Sequence, residues 1–171
     1  MKWMTVWVRS GDRATFFWVN GWRNGVAGRV MPLVTHLGGA VWSVGLSLAL
    51  LLSGEGLWRE TGVHLALSLL CSHAVVAVCK KVLPRPRPYR VLENVRTGRH
   101  LLQDASFPSG HSTAAFCTAA VLSGALPAFA GVWYGLAALV ALSRVYLGLH
   151  YPSDILTGAG LGLVAAWLLG A

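Results

Sequence analysis

Residues 112–143, STAAFCTAAVLSGALPAFAGVWYGLAALVALS, carry no charged side chain. About 20 apolar residues in a helix cross a bilayer core, so this stretch is too long for one comfortable span and short for two. Pro127 resolves the ambiguity, because a proline inside a helix lacks the N–H and clashes with the preceding turn. A break there predicts one span over about 109–126 and a second over about 129–147. Chemistry-bearing residues sit at the two outer ends of this apolar hairpin: Pro108-Ser109-Gly110-His111 before it, Ser143-Arg144 after it.

The flanking sequence extends the same pattern. The chain is 55% apolar and 12% charged, whereas a soluble domain carries roughly 25% charged residues. It therefore reads as an integral membrane protein. Residues 28–53 predict a span with His36 its one strongly polar side chain, closed by the turn Ser53-Gly54-Glu55-Gly56. Residues 62–82 predict another, ending at Lys80-Lys81 and stopped by Pro84. A further span over 152–170 starts at Pro152, which a first helical turn tolerates. Its Gly158 and Gly162, four residues apart, let a neighbouring helix come close.

Residues 1–25 mix Lys2, Arg9, Asp12, Arg13 and Arg23 with Trp3, Trp7, Phe16, Phe17, Trp18 and Trp22. This pattern fits neither a span nor a secretory signal with its unbroken apolar core. It reads as an amphipathic segment lying on the membrane. The sequence thus predicts an all-α, polytopic membrane helix bundle of about five transmembrane helices plus an N-terminal interfacial helix. It forms one domain over 1–171, with a polar loop at 83–107. Cys71, Cys79 and Cys117 lie inside apolar runs without metal-like or redox-like spacing and read as structural thiols. The net charge of +8 points to phosphate or anionic lipid, not to nucleic acid, on a chain built mostly of spans. No obligate protein partner is evident.

If the helices alternate across the bilayer, three polar blocks meet on one face: Lys80 with Arg87-Pro88, then residues 108–111, then Ser143-Arg144 with His150 and Asp154. Phosphoryl transfer spreads negative charge over equatorial oxygens, so a site needs fixed cations and aimed donors. Lys80, Arg87 and Arg144 supply the cations, with Arg able to fork two phosphate oxygens. Ser109 and Gly110 open a helix, where outward N–H groups and the helix dipole favour an anion; equally, Ser109 can serve only as the helix cap. One imidazole can attack phosphorus while a second protonates the departing oxygen. His150 has a carboxylate, Asp154, four residues on to orient it, which leaves His111 as the acid. Individually, each of these residues has an ordinary structural role open to it. Together they point to function, because ionisable groups at membrane depth are costly.

Lys80 to Pro88 fits K-x6-R-P, residues 108–111 read P-S-G-H, and Ser143 to Asp154 fits S-R-x5-H-x3-D. On these motifs the chain resembles the type-2 phosphatidic acid phosphatase superfamily, which includes membrane lipid phosphatases, soluble acid phosphatases and vanadium haloperoxidases. The resemblance implies a metal-independent phosphohydrolase without a cofactor. In it the position of His150 is the nucleophile, Asp154 orients it and His111 protonates the leaving group, while Lys80, Arg87, Ser109, Gly110 and Arg144 bind phosphate. Lys81, Arg85 and Arg90 fall outside the register and read as surface or headgroup contacts.

The expected substrate is a lipid phosphate. Undecaprenyl pyrophosphate comes first, ahead of phosphatidylglycerophosphate, phosphatidic acid or a lipid A phosphate, and the loop 89–103 is the expected headgroup selector. The resemblance also implies the cytoplasmic membrane with the active site at its outer face. The charges point the other way: of 14 Lys and Arg, this topology puts all but Arg59 on or near the catalytic face, which the positive-inside rule assigns to the cytoplasm. Two other classes compete: a vanadium haloperoxidase, whose known examples are soluble and much larger, and a non-catalytic lipid-phosphate binding or transport protein, against which the intact His111 and His150 argue.

Overall fold

The computed structural model describes residues 10–22, 25–53, 55–98 and 101–170. Lys2, Trp3, Trp7, Arg9, Arg23, Gly54, Arg99 and His100, which enter the sequence reading, lie outside them. The described chain opens with α1 (Ser10–Gly21). One face of this helix is buried: Phe16 and Val19 pack with Val145, Leu149 and Tyr151. Asn20, also buried, donates to the carbonyls of Arg96 (2.8 Å) and Tyr146 (2.9 Å) and accepts from the Arg96 N–H (3.0 Å). The segment read as resting on the membrane thus packs one face on the bundle, while Trp18 on it stays exposed.

The span expected over 28–53 is broken. It consists of α2 (Gly25–Val34), a 3-10 turn (Thr35–Gly38) and α3 (Ala40–Ser53), the two arms bent by 51°. Gly39 adopts an extended conformation that ends the turn. At Gly38 the chain crosses so closely that a Cβ would stand 2.6 Å from the His111 carbonyl oxygen and 2.7 Å from Val140. Contact with the start of another helix therefore decides where this span breaks.

Next, α4 (Leu57–Val82) runs 26 residues, and the short α5 (Pro88–Val91) follows in the polar loop. Then α6 (Gly110–Ala125) starts at Ser109, whose hydroxyl caps the Ser112 N–H (3.4 Å), and stops ahead of Pro127. A 3-10 turn (Pro127–Phe129) leads into α7 (Ala130–Tyr146), and α8 (Pro152–Leu169) closes the described chain with proline in its first turn. The central element is α6, which packs against α4, α7 and α8. Along the seam with α8, a Cβ on Gly158 would lie 2.4 Å from the Ser109 carbonyl and one on Gly162 2.3 Å from that of Thr113. Only glycine permits this approach.

Among the described residues, three helical stretches are long and apolar enough to cross a membrane: Leu57–Val82, Pro127–Tyr146 and Pro152–Leu169. The bent pair makes a fourth if it is one broken span. At 16 residues, α6, the central helix, is shorter than these three. Leu70, Val78, Val82, Leu156 and Trp167 project outward. Such a wide apolar exterior is a liability in water and suits lipid, so this is an all-helical membrane protein.

Candidate active site

Six elements bring the three sequence blocks to one end of the bundle. Lys80 comes from the last turn of α4, Arg87 precedes α5, and Gly110 and His111 open α6. Arg144 closes α7, His150 lies in the α7–α8 connection, and Asp154 sits in the first turn of α8. A cavity of about 330 Å³ is lined by Lys80, Arg87, Gly110, His111 and His150. His111 also lines a second cavity of about 760 Å³, with Arg144, Arg29 and His36.

His150 is fully buried and held from both sides. The Arg87 guanidinium lies 3.1 Å from its Nε2, and Asp154 Oδ2 lies 3.6 Å from its Nδ1. Arginine can only donate, so Nε2 accepts and its lone pair faces the cationic pocket. The ring proton then belongs on Nδ1, toward Asp154. Burial pushes the His150 pKa down to about 4, against the upward pull of the Asp154 carboxylate, with the Arg144 and Arg87 charges adding to the depression. The imidazole is neutral near neutral pH. Arg87 is itself immobilised, donating to the carbonyls of Leu149 (2.8 Å) and Asp104 (2.9 Å) and to Asp104 Oδ1 (2.7 Å).

Asp154 has no exposed side-chain surface and a full set of donors. Oδ2 accepts from Ser106 Oγ (2.5 Å) and the Tyr151 N–H (2.9 Å), and Oδ1 accepts from Arg85 Nη1 (2.6 Å). Arg85 corrects the sequence reading. It is not a surface contact: its side chain is 1% exposed, stacks 3.8 Å over the Tyr151 ring and joins Asp154 to Asp12. Lys81 and Arg90 are exposed as expected.

Asp104 occupies the cation pair, bonding Lys80 and Arg87 at once. Partial burial works to raise its carboxyl, but the hydrogen bonds from Lys80 and Arg87 outweigh this and hold it at about 2. Ser109 takes the capping role that the sequence also left open to it. Its hydroxyl serves as the cap, with Ser112 Oγ 3.1 Å away, and its backbone N–H donates to the Asp154 carbonyl (3.1 Å). Arg144 donates to Thr35 Oγ1 (2.6 Å), and its Nε has no hydrogen-bond partner among the described residues. The sequence reading missed Asp12, Arg85, Asp104 and Ser106. One signal was available: the chain has only six Asp and Glu, and Asp12, Asp104 and Asp154 all converge here.

A membrane helix bundle with one buried histidine, His150, and one half-buried histidine, His111, facing clustered cations defines the class, and the comparisons place it. The family model of the PAP2 superfamily matches residues 61–170, and the chain belongs to that superfamily. It is 31% identical over 158 residues to phosphatidylglycerophosphatase B of Bacillus subtilis, covering 82% of this chain and 72% of that protein. It is also 31% identical over 116 residues to undecaprenyl-diphosphatase of Sulfolobus acidocaldarius, covering 66% of this chain; there the match spans about half of the relative, 52%. In three dimensions it is similar to LpxE of Aquifex aeolicus, with a TM-score of 0.86 at 26% identity over 95% of this chain and 96% of that one.

Proposed function

We propose that this chain is a membrane-embedded, metal-independent lipid phosphatase working through a phosphohistidine. The observation that carries the reading is the Arg87–His150–Asp154 arrangement, which leaves a neutral imidazole with its Nε2 lone pair directed into a cation-lined pocket that His111 shares. His150 Nε2 attacks phosphorus as the P–O bond to the leaving group breaks, and His111 gives that oxygen its proton. Water then attacks the phosphohistidine, returning its proton to His111, and inorganic phosphate leaves with the His150 ring restored. Lys80, Arg87 and Arg144 neutralise the equatorial charge, and Gly110 lets the phosphoryl group approach the start of α6.

A lipid substrate is favoured by the surroundings. An apolar groove of about 430 Å³ between α3 and α4 shares Ala40 and His73 with the phosphate pocket, so hydrocarbon and phosphate can be held side by side. Undecaprenyl pyrophosphate, acted on at the outer face of the cytoplasmic membrane, is the first candidate. Phosphatidylglycerophosphate, phosphatidic acid and a lipid A phosphate follow. The names of relatives support the undecaprenyl pyrophosphate, phosphatidylglycerophosphate and lipid A members of this group. The test is phosphate release by the purified protein in detergent with EDTA on the first three lipids. Turnover is expected in the intact protein and absent in His150→Ala; no release from any lipid, or undiminished turnover in the variant, rejects the reading.

A further inference from the structure

The proposed mechanism gives no task to Asp12, a charged residue at this end of the bundle whose side chain is 9% exposed. It stands on α1, outside the segment that the superfamily model matches, and its carboxylate is engaged on every side. Oδ2 accepts from Arg85 Nη2 at 2.6 Å and from Ser153 Oγ at 2.7 Å, while Oδ1 accepts from the Ser153 N–H at 3.0 Å. Arg85 Nη1 in turn donates to Ser153 Oγ (2.7 Å) and to Asp154 Oδ1 (2.6 Å). Asp12 thus reaches Asp154 by two routes: through the Arg85 guanidinium, and through the first turn of α8, which carries both Ser153 and Asp154.

Geometry and charge give these routes a consequence. The Asp12 and Asp154 side chains are 9% and 0% exposed and share one guanidinium. A planar fork bonded at opposite edges to two carboxylates, with the Tyr151 ring against its face, has one orientation available. With Asp12 neutralised, one of the two carboxylates that share the Arg85 guanidinium loses its charge, and the pull of Arg85 falls more heavily on Asp154. Arg85 then draws the Asp154 carboxylate toward itself and away from His150 Nδ1. Resting on the reading of His150 as nucleophile, we infer that Asp12 is a positioning residue for catalysis, holding Arg85 and the first turn of α8 so that Asp154 stays aligned behind the imidazole. The N-terminal helix then serves the chemistry as well as the packing.

The experiment is a double-mutant cycle on the full chain in detergent, with phosphatidic acid and undecaprenyl pyrophosphate as substrates. Asp12→Asn is expected to lower kcat about tenfold, since small misplacements of a reacting group cost rate steeply, with KM within about twofold. Asp12→Glu should recover part of the loss. In an Asp154→Asn background the same Asp12→Asn change should cost less than about twofold, because groups acting through one another are not additive. An unchanged kcat, or a tenfold loss that persists without the Asp154 charge, overturns the proposal. If Asp12→Asn does not fold, Ser153→Ala, which cuts one link without orphaning a charge, is run through the same cycle with the same two outcomes. His150→Ala in parallel tests the nucleophile reading itself, so the two failures are told apart.

Discussion

As the proposed nucleophile, His150 must attack with Nε2 unprotonated, and two features favour that state: the Arg87 donor 3.1 Å away and burial that lowers its pKa to about 4. Protonating His150 removes that lone pair, so the acid limb of kcat/KM that belongs to His150 is expected below the ordinary histidine range. A pH–rate profile with its acid limb near 6.5 would contradict this. Asp104 supplies a second test at this scale. With its carboxyl held at about 2, its ion pairs stabilise the fold above the ordinary carboxylate range and are lost as pH falls toward 2. At neutral pH it occupies the same Lys80 and Arg87 that the proposed mechanism assigns to substrate phosphate. Asp104→Asn should therefore tighten competitive inhibition by inorganic phosphate severalfold, measured as Ki, while Arg87 keeps its backbone acceptors on Leu149 and Asp104.

Among the helices, the seam of α6 with α8 governs how well the site is assembled. Gly162 faces the Thr113 carbonyl and the Cys117 N–H, and Gly158 faces the Ser109 carbonyl, so an added methyl meets backbone that cannot rotate away. Overpacking of this kind costs about 1–3 kcal/mol. Both Gly158→Ala and Gly162→Ala should lower the thermal unfolding midpoint in detergent. Gly158→Ala should also reduce kcat more strongly, because it presses on the turn carrying Ser109 and His111, whereas Gly162 lies a turn deeper. Equal loss of kcat from both changes would mean that the seam sets stability alone. At α1 the amphipathic pattern was plain in the residues, yet its docking face was not, since Phe16, Val19 and Asn20 gain their meaning from Tyr146, Leu149, Tyr151 and Arg96, all distant in sequence.

For the whole molecule the open dimension is orientation. The outer-face placement proposed above sets catalysis against the positive-inside tendency, with Arg59 the one cation assigned by sequence to the other face. Part of the excess is internal: Arg85 is shared by Asp12 and Asp154, and Lys80 and Arg87 share Asp104. In a background without Cys71, Cys79 and Cys117, a Gln103→Cys variant should react with a membrane-impermeant maleimide in intact cells. Labelling only after lysis would put the site on the cytoplasmic side.

The sequence by itself determined the helical membrane class, because apolar run length and proline placement are local properties that the bilayer reads directly. It also determined which residues meet: with alternating helices, Lys80, Arg87, His111, Arg144, His150 and Asp154 have one end of the bundle open to them, and there they lie. Tertiary structure alone decided the break at Gly38–Gly39, the docking of α1 and the burial of Arg85. Each of these turns on a partner far along the chain, such as the His111 carbonyl at Gly38 or Asp12 at Arg85. No local pattern records such a contact, because its energy exists only once the helices have packed.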